Sequence, residues 1–450
     1  MKHAFRYLLP SLRIIIPRFS PAPSRFIRSA PRQFFATFSG RMESTTTNDA
    51  DSSGYGVEYM PLEGVERLER YRPGGYHPIV IGDHLHGRYR IVHKLGFGTY
   101  STTWLAKDQN NGSYVAIKIA VADSDLREAD ILRVLQDARP TCEEASGKAA
   151  IPSVLDEFDL DGPNGKHRCL VTAPANVSLA DAKDASVSRL FQPSVARAIV
   201  AQLVQAIAFL HSQGIVHADL HLGNILLRLT ESIDGLSPDQ FYQKYQKPTL
   251  EPVQPSDRLT LSEARILLTD FGESFMPFTT KRYYSNTPDL LVPPELHFRT
   301  QEPLSFHTDI WALGCAIWSI VGQRPIFEAF NPSADWMTKE HVDVLGKLPP
   351  EWWEHWSARP KWFDEQGSRI AGAAGKPWAE WFESCVQRPR REFRMEEFSE
   401  DEKVALFALL RSMLAFRPSE RPDAEQILQS DWITTWALPE LESIRSTSLS

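Results

Sequence analysis

Lys118, Asp219, Asn224 and Asp270 are the residues of this chain whose types and spacing could move a phosphoryl group. A lysine can hold phosphate oxygens. One aspartate can accept or orient a hydroxyl proton. An asparagine and a second aspartate offer the oxygen ligands that a hard divalent cation prefers. These residues stand in an ordered series of six motifs: Gly96-Phe97-Gly98 with Ser101; Val115-Ala116-Ile117-Lys118; His217-Ala218-Asp219 with Asn224; Asp270-Phe271-Gly272; Pro293-Pro294-Glu295; and Asp309-Ile310-Trp311 with Gly314. Any one of them is a weak signal. The ordered set points to transfer of the γ-phosphate of ATP with Mg²⁺.

Elements must hold these groups in place. Residues 88–95 alternate as a strand would, and 102–106 read as a second strand after the glycines. A glycine turn between antiparallel strands lets backbone N–H groups approach phosphate oxygens. The residues expected around the nucleotide are Leu95, Gly96, Phe97, Gly98, Thr99, Tyr100 and Ser101, with Thr103, Ala116 and Lys118 on the strands. Lys118 falls on the third strand and needs a carboxylate partner from the following helix. Glu128 is the first choice and Asp130 the alternative; a solvated helix charge is the plain reading of either. Cys169-Leu170-Val171 reads as a buried strand leading to a hinge, with Thr172, Ala173 and Ala175 beside the adenine.

Residues 198–211 read as an apolar helix stopped by Gly214. The loop behind it carries Asp219 as the catalytic base and Asn224 as a metal ligand, with Asp270 bridging metal and phosphates. Two positions are unusual. Ala218 stands where an arginine often grips a phosphorylated activation segment, so that phosphorylation is not expected to be required. His221 stands where a lysine often steadies the γ-phosphate, and it is expected to contribute to catalysis as a hydrogen-bond donor.

The bulk composition is that of a globular protein. Of 450 residues, 42% are hydrophobic and 24% charged, enough for a large core. The four cysteines, Cys142, Cys169, Cys315 and Cys385, are too scattered for a zinc site or a disulfide framework. No apolar run suggests a membrane span. Residues 1–42 hold eight basic residues and no acidic one, the composition of a mitochondrial transit peptide or of a basic tail. A mitochondrial location follows if the leader is cleaved there, and the cytoplasm or nucleus otherwise. Residues 43–65 read as a flexible linker. The remaining 41 basic residues face 57 acidic ones, a formal net of −16 that favours basic substrates and disfavours nucleic acid. Asp335, Glu340, Asp343, Glu351 and Glu354 are expected to form an arginine-docking surface. A Trp-rich stretch within 328–400 reads as core packing, because its charged neighbours are acidic.

Residues 71–78, with Gly82-Asp83, Arg88-Tyr89 and 94–105, resemble the SR-protein kinase family, most closely its divergent fungal branch. Gly162-Pro163-Asn164-Gly165 and residues 345–350 resemble it too, and the likeness spans residues 66–437. It implies an α+β, two-lobed protein kinase fold: a small β-rich N-lobe over 66–175 and a large, mostly helical C-lobe over 176–437, followed by a tail over 438–450. It implies ATP, Mg²⁺ and serine/threonine phosphorylation of Arg/Ser-rich splicing factors by a monomer, without direct nucleic-acid contact. Residues 230–262, where the family carries a spacer, read as an insert, either loose or packed on the C-lobe through Tyr242, Tyr245 and Leu250. By the same resemblance Glu295 pairs with Arg421, and Asp309 accepts the catalytic-loop N–H groups. Two other readings stay open. Residues 217–224 also resemble the loop of small-molecule kinases of the aminoglycoside and choline type, and a pseudokinase would keep the fold without turnover.

Overall fold

The computed structural model describes residues 66–447 apart from 123, 125–126, 142–144, 246–254, 299–301, 330–331 and 371–374. The basic leader and the linker lie outside these residues.

Six strands form the N-terminal sheet: β1 (His84–Leu85), β2 (Tyr89–Phe97), β3 (Ser101–Asp108), β4 (Tyr114–Ala120), β5 (Asp156–Gly162) and β6 (Gly165–Thr172). Their order is β1-β2-β3-β4-β6-β5, and every neighbouring pair is antiparallel. Alternation decides which face is buried. Ile91, Trp104, Ala106, Val115, Ile117, Ile119, Cys169 and Val171 share one apolar cluster. Between β4 and β5 run α1 (Glu128–Asp137) and α2 (Ala145–Ala149). The apolar face of α1 buries Ile131, Leu132 and Leu135 in the main core.

The helical lobe follows. Its elements are α3 (Leu179–Ala185), α4 (Pro193–Ser212), the β7–β8 ladder (Ile225–Leu227 with Ile266–Leu268), α5 (Pro238–Tyr245) and α6 (Phe306–Val321). Then come α7 (Ala334–Leu345), α8 (Pro350–His355), α9 (Trp378–Phe382), α10 (Arg388–Glu392), α11 (Glu400–Met413), α12 (Ala424–Leu428) and α13 (Leu438–Thr447). α4 starts with proline at its first position, and Gly214 at φ 74° turns the chain away after it. By length and composition α4 could cross a membrane, which reading the runs in the sequence did not anticipate. In this fold it is the central core helix, with 72% of its most apolar window buried. α6, with Ile310, Trp311, Leu313, Ile317 and Trp318 buried, is the second core helix.

Two expectations are corrected here. The segment from 438 is not a tail: α13 buries Leu441 and Ile444 in the main core. The insert is not loose, and its two described parts pack differently. Residues 255–262 sit on the helical lobe, where Leu259 is buried in the main core and the Ser256 hydroxyl donates to the Leu190 carbonyl at 2.9 Å. The first part leaves β7 and covers the outer face of the N-terminal sheet, where Ile233 and Phe241 bury against Val92, Leu105 and Tyr114. The Tyr114 N–H donates to Asp234 Oδ1 at 2.6 Å, Lys107 Nζ donates to the Asp234 carbonyl at 2.8 Å, and the Tyr242 hydroxyl donates to the Val92 carbonyl. The physical reason is strand alternation. Val92 and Leu105 point opposite to Ile91, Trp104 and Ala106, so the sheet has a second apolar face that needs cover. The side chain of Tyr245, and Leu250, lie outside the described residues. Most of the tryptophans pack as expected: Trp352, Trp353 and Trp356 form a satellite core with Phe363, whereas Trp336 is exposed.

Candidate active site

The glycine-rich segment is the β2–β3 hairpin. The Gly98 N–H donates to the Ser101 carbonyl at 2.9 Å, leaving Thr99 and Tyr100 at the tip. A Cβ built on Gly96 or Gly98 meets nothing within 4 Å, so both face open space. Gly96 lies opposite Thr103, and Ala116 opposite Thr172, where β6 ends and the chain crosses through Ala173 and Ala175 to the helical lobe. Leu95 and Tyr100 are exposed, Phe97 and Thr99 partly so, and Ser101 is buried. The glycine turn, Lys118 and the hinge are therefore all built on one sheet.

Lys118 reaches across the cleft. Its Nζ donates to Glu128 Oε2 at 2.6 Å and to Asp270 Oδ1 at 2.8 Å. The second Glu128 oxygen accepts the Phe271 N–H at 3.2 Å, so α1 and the Asp270-Phe271-Gly272 turn are tied through one carboxylate. Asp130 pairs instead with Arg168 at 3.1 Å, which removes it as the alternative. Burial by itself would lower the Lys118 pKa, but the two carboxylates outweigh it and hold the ammonium charged. Lys118 in turn holds the Asp270 carboxyl down at about 2, against the opposing pull of its dense surroundings. Asp270 sits in the left-handed region at φ 64°, and 47% of its side chain opens toward solvent. A non-glycine residue held there is strained, a common feature of functional turns.

Below it lies the catalytic loop. Asp309, at the first turn of α6, accepts the N–H of His217 at 2.7 Å and of Ala218 at 2.9 Å. It also pairs with His211 Nε2 at 3.0 Å. Burial would raise this carboxyl, yet the His211 hydrogen bond and charge bring it below the usual range. His217 packs edge-on against Phe271, with ring centroids 5.0 Å apart, and its Nε2 meets the Thr269 carbonyl at 3.1 Å. Asn224 Nδ2 donates to the Asp219 carbonyl at 2.9 Å and to its Oδ2 at 3.1 Å. Asp219 Oδ1 is buried and meets no hydrogen-bond donor among the described residues. An anionic acceptor is thus oriented on one oxygen and unpaired on the other, which suits a base awaiting a hydroxyl.

His221 folds back on its own loop. Its Nδ1 accepts the Gly223 N–H at 3.0 Å, and its Nε2 lies 3.6 Å from Asp219 Oδ2. A Cβ on Gly223 would come within 2.8 Å of the imidazole, so glycine is what permits this fold. With Nδ1 accepting, the proton of the neutral ring sits on Nε2 and faces the base. Among the described residues no group of three or more His, Cys, Asp or Glu could cage a metal. Asp270 and the Asn224 amide oxygen would supply two protein donors. Mg²⁺ characteristically takes one or two protein oxygens and completes its shell with phosphates and water, so the donor set fits.

The segment after Asp270 is anchored by apolar contacts and side-chain hydrogen bonds. Ala218 sits in an apolar cluster with Val216, Phe275 and Leu304. Arg282 Nη1 donates to the Glu273 carbonyl at 2.7 Å and to Glu273 Oε2 at 3.1 Å, and Asn286 Nδ2 donates to Glu273 Oε1 at 2.9 Å. Thr287 Oγ1 donates to the Ala218 carbonyl at 2.9 Å. At the far end Glu295 and Arg421 form a two-pronged ion pair at 2.9 and 2.6 Å, both side chains almost fully buried.

The sequence profile of the protein kinase domain matches residues 89–433. The chain belongs to the protein kinase family. A serine/threonine protein kinase of Aspergillus fumigatus is 25% identical over 393 residues, covering 82% of this chain and 90% of that one. The serine/threonine-protein kinase SRPK of Physarum polycephalum is 27% identical over 402 residues, covering 82% and 91%. The protein kinase dsk1 of Schizosaccharomyces pombe is 38% identical over 166 residues, covering 36% of this chain and 30% of its own. This kinase is thus of the serine/threonine type, similar to the SR-protein kinases, and ATP with Mg²⁺ is its family's phosphate donor and metal.

One expectation fails in the kinase's C-lobe. Most of the acids on and near α7 are engaged within the chain, although Asp335 and Glu354 are exposed. Glu340 is buried and paired with Lys339 at 2.7 Å and Lys376 at 2.8 Å. Asp343 pairs with Lys339 at 2.9 Å and with Arg369. Asp335 accepts the Trp356 indole N–H at 3.0 Å, and Glu351 pairs with Arg417 at 2.6 Å. Basic residues, Lys376, Arg369 and Arg417 among them far along the chain, pair with Glu340, Asp343 and Glu351, which counting acids along the chain cannot reveal. Three residues had no role assigned from the sequence: Glu273, Thr287 and Gly223. Only Gly223, two residues from His221 in a loop of known chemistry, carried a local signal.

Proposed function

We propose that this kinase transfers the γ-phosphate of ATP to serine or threonine hydroxyls in basic, arginine/serine-rich protein segments. The observation that carries the chemistry is the Lys118–Glu128–Asp270 chain of ion pairs above the Asp219–Asn224 pair. In this reading the glycine-rich turn offers backbone N–H groups to the phosphates, and Lys118, fixed by Glu128, holds the α- and β-phosphate oxygens. Thr172, Ala173 and Ala175 border the base. Asn224 and Asp270 would hold Mg²⁺, which would supply neutralising charge for the phosphates. Asp219 Oδ1 accepts or orients the hydroxyl proton, and His221 presents Nε2–H beside it as a hydrogen-bond donor. The complete set of charged groups favours turnover over a binding-only pseudokinase. The anchored segment ending at Glu295 favours a protein substrate over a small molecule.

The arginine/serine preference is supported by the names of the relatives and by the net charge of −16 over residues 43–450. It draws no support from Glu340 and Asp343 of α7, which are internally paired. Matched Arg-Ser, Lys-Ser and Glu-Ser repeat peptides, assayed at low and high salt, test it. The Arg-Ser peptide should be phosphorylated fastest, with a rate that falls as salt rises. Equal rates on all three would reject the substrate class and leave the phosphotransfer reading intact.

A further inference from the structure

Residues 68–76 precede the sheet and belong to none of the six catalytic motifs. They turn through Leu68–Arg70 and double back at Gly74 (φ 81°) and Gly75. A Cβ on Gly75 would lie 2.0 Å from the Arg70 carbonyl oxygen, so only glycine fits that crossing. The segment is pinned to the sheet. The Gly74 N–H donates to the Asn164 carbonyl at 2.7 Å, Asn164 Nδ2 donates to the Tyr76 carbonyl at 2.6 Å, and the Ala122 N–H donates to the Gly75 carbonyl at 3.2 Å. Two side chains reach from it to the tip of the glycine-rich turn. Arg70 Nη1 donates to the Thr99 carbonyl at 2.7 Å and, at 3.5 Å, to that of Gly98. The buried Tyr76 hydroxyl donates to the same Gly98 carbonyl and accepts from Arg70 Nη1 at 3.2 Å.

We propose that residues 68–76 are a strap that aims the glycine-rich turn at the phosphates, with Arg70 and Tyr76 as positioning residues. This rests on reading the turn at 96–101 as the phosphate cradle. A trans peptide is planar, with its C=O and N–H pointing in opposite directions. Drawing the Gly98 and Thr99 carbonyls toward the strap turns the N–H groups of Thr99 and Tyr100 away from it. Two successive N–H groups facing the same way make an anion-binding concavity. Neither N–H has a backbone acceptor among the described residues. The strap therefore fixes the cradle before nucleotide arrives, so that binding does not have to order the tip. Arg70 also leaves a positive charge just behind the peptides that would face the phosphates.

The test compares Tyr76→Phe and Arg70→Gln with the wild-type full chain for binding of ATP, ADP and adenosine. Losing hydrogen bonds of this kind should weaken ATP and ADP about tenfold in each variant. Adenosine affinity should stay as it was, KM for ATP should rise, and kcat should hold. Tyr76→Phe keeps the ring and its packing, so its melting temperature without nucleotide should match wild type. ATP and ADP affinities equal to wild type in both variants would overturn the strap. So would equal weakening of ATP and adenosine, or a lowered apo melting temperature with it, since both indicate general damage. Wild-type protein that binds ATP no tighter than adenosine would instead overturn the cradle reading itself.

Discussion

Glu295→Ala is the substitution whose cost the structure sets most clearly. Arg421 is fully buried and places all five of its N–H donors. Two go to Glu295, Nε goes to the Ala415 carbonyl at 2.9 Å, and the others reach the His307 carbonyl at 3.0 Å and the Phe416 carbonyl at 3.1 Å. Its guanidinium also lies over the Trp311 ring, 5.0 Å from the centroid. Removing the carboxylate strands a buried cation with two unmet donors. Breaking such a pair costs about 3–5 kcal/mol, against about 0–1 for an exposed pair. In a chain of this size that is a melting-point loss of about 3–5 °C. Differential scanning calorimetry and urea titration of wild type, Glu295→Ala, Arg421→Met and Glu295→Leu/Arg421→Met measure it. The double replacement, which leaves no orphan charge, should recover most of the loss. Kinase activity of the single variants should fall further than their folded fraction, since Glu295 anchors the far end of the segment that begins at Asp270. A single-variant cost below about 1 kcal/mol would refute the buried-pair reasoning.

Phosphatase treatment should leave most of the kinase activity, whereas Arg282→Ala, which frees Glu273, should lower it several-fold; radiometric assay of both decides this, and loss of activity on dephosphorylation would contradict it. Stability should fall in acid through His297 and His341: burial pulls the first down to about 4 and the second well below its ordinary value. Both are therefore neutral when folded, and stability is lost as pH drops from about 6.5 toward 4 while the unfolded chain takes up protons, about 1.4 kcal/mol per pH unit per group at most. Urea melts at pH 7 and pH 5 should show this, and His341→Phe should flatten the slope; an unchanged slope would exclude these histidines. Residues 1–42 fused to a fluorescent reporter should carry it into mitochondria, and a diffuse cytosolic signal would exclude a transit role.

The candidate site was legible because the chemistry it suits dictates residue types. Phosphate, metal and proton each require a particular group, so Lys118, Asp219, Asn224 and Asp270 stood out before any packing was known. The strands that carry them were legible from alternation, and α4 from its apolar length and Gly214. What was not legible depends on contacts between distant segments. Phe241 and Ile233 look like residues of an ordinary loop until Val92 and Leu105 are seen to need cover. Asp343 looks like a docking acid until Lys339 and Arg369 close on it. Residues 438–447 resemble a tail because Leu441 and Ile444 are too few to announce a core helix without the surface that receives them. Arg70 and Tyr76 act through backbone carbonyls, which have no side-chain signature at all.

The central claim is that the Asp219 carboxylate, oriented by Asn224 and left unpaired on one oxygen, drives phosphoryl transfer. It is tested most directly by transfer of labelled γ-phosphate from ATP and Mg²⁺ to a serine-containing protein substrate. Wild type should be compared with Asp219→Asn at matched folded concentration and matched nucleotide affinity. Replacing the base with an isosteric amide should slow transfer by orders of magnitude, equivalent to several kcal/mol of barrier, while melting temperature and ATP binding hold. Wild type and Asp219→Asn transferring phosphate at the same rate would contradict the account.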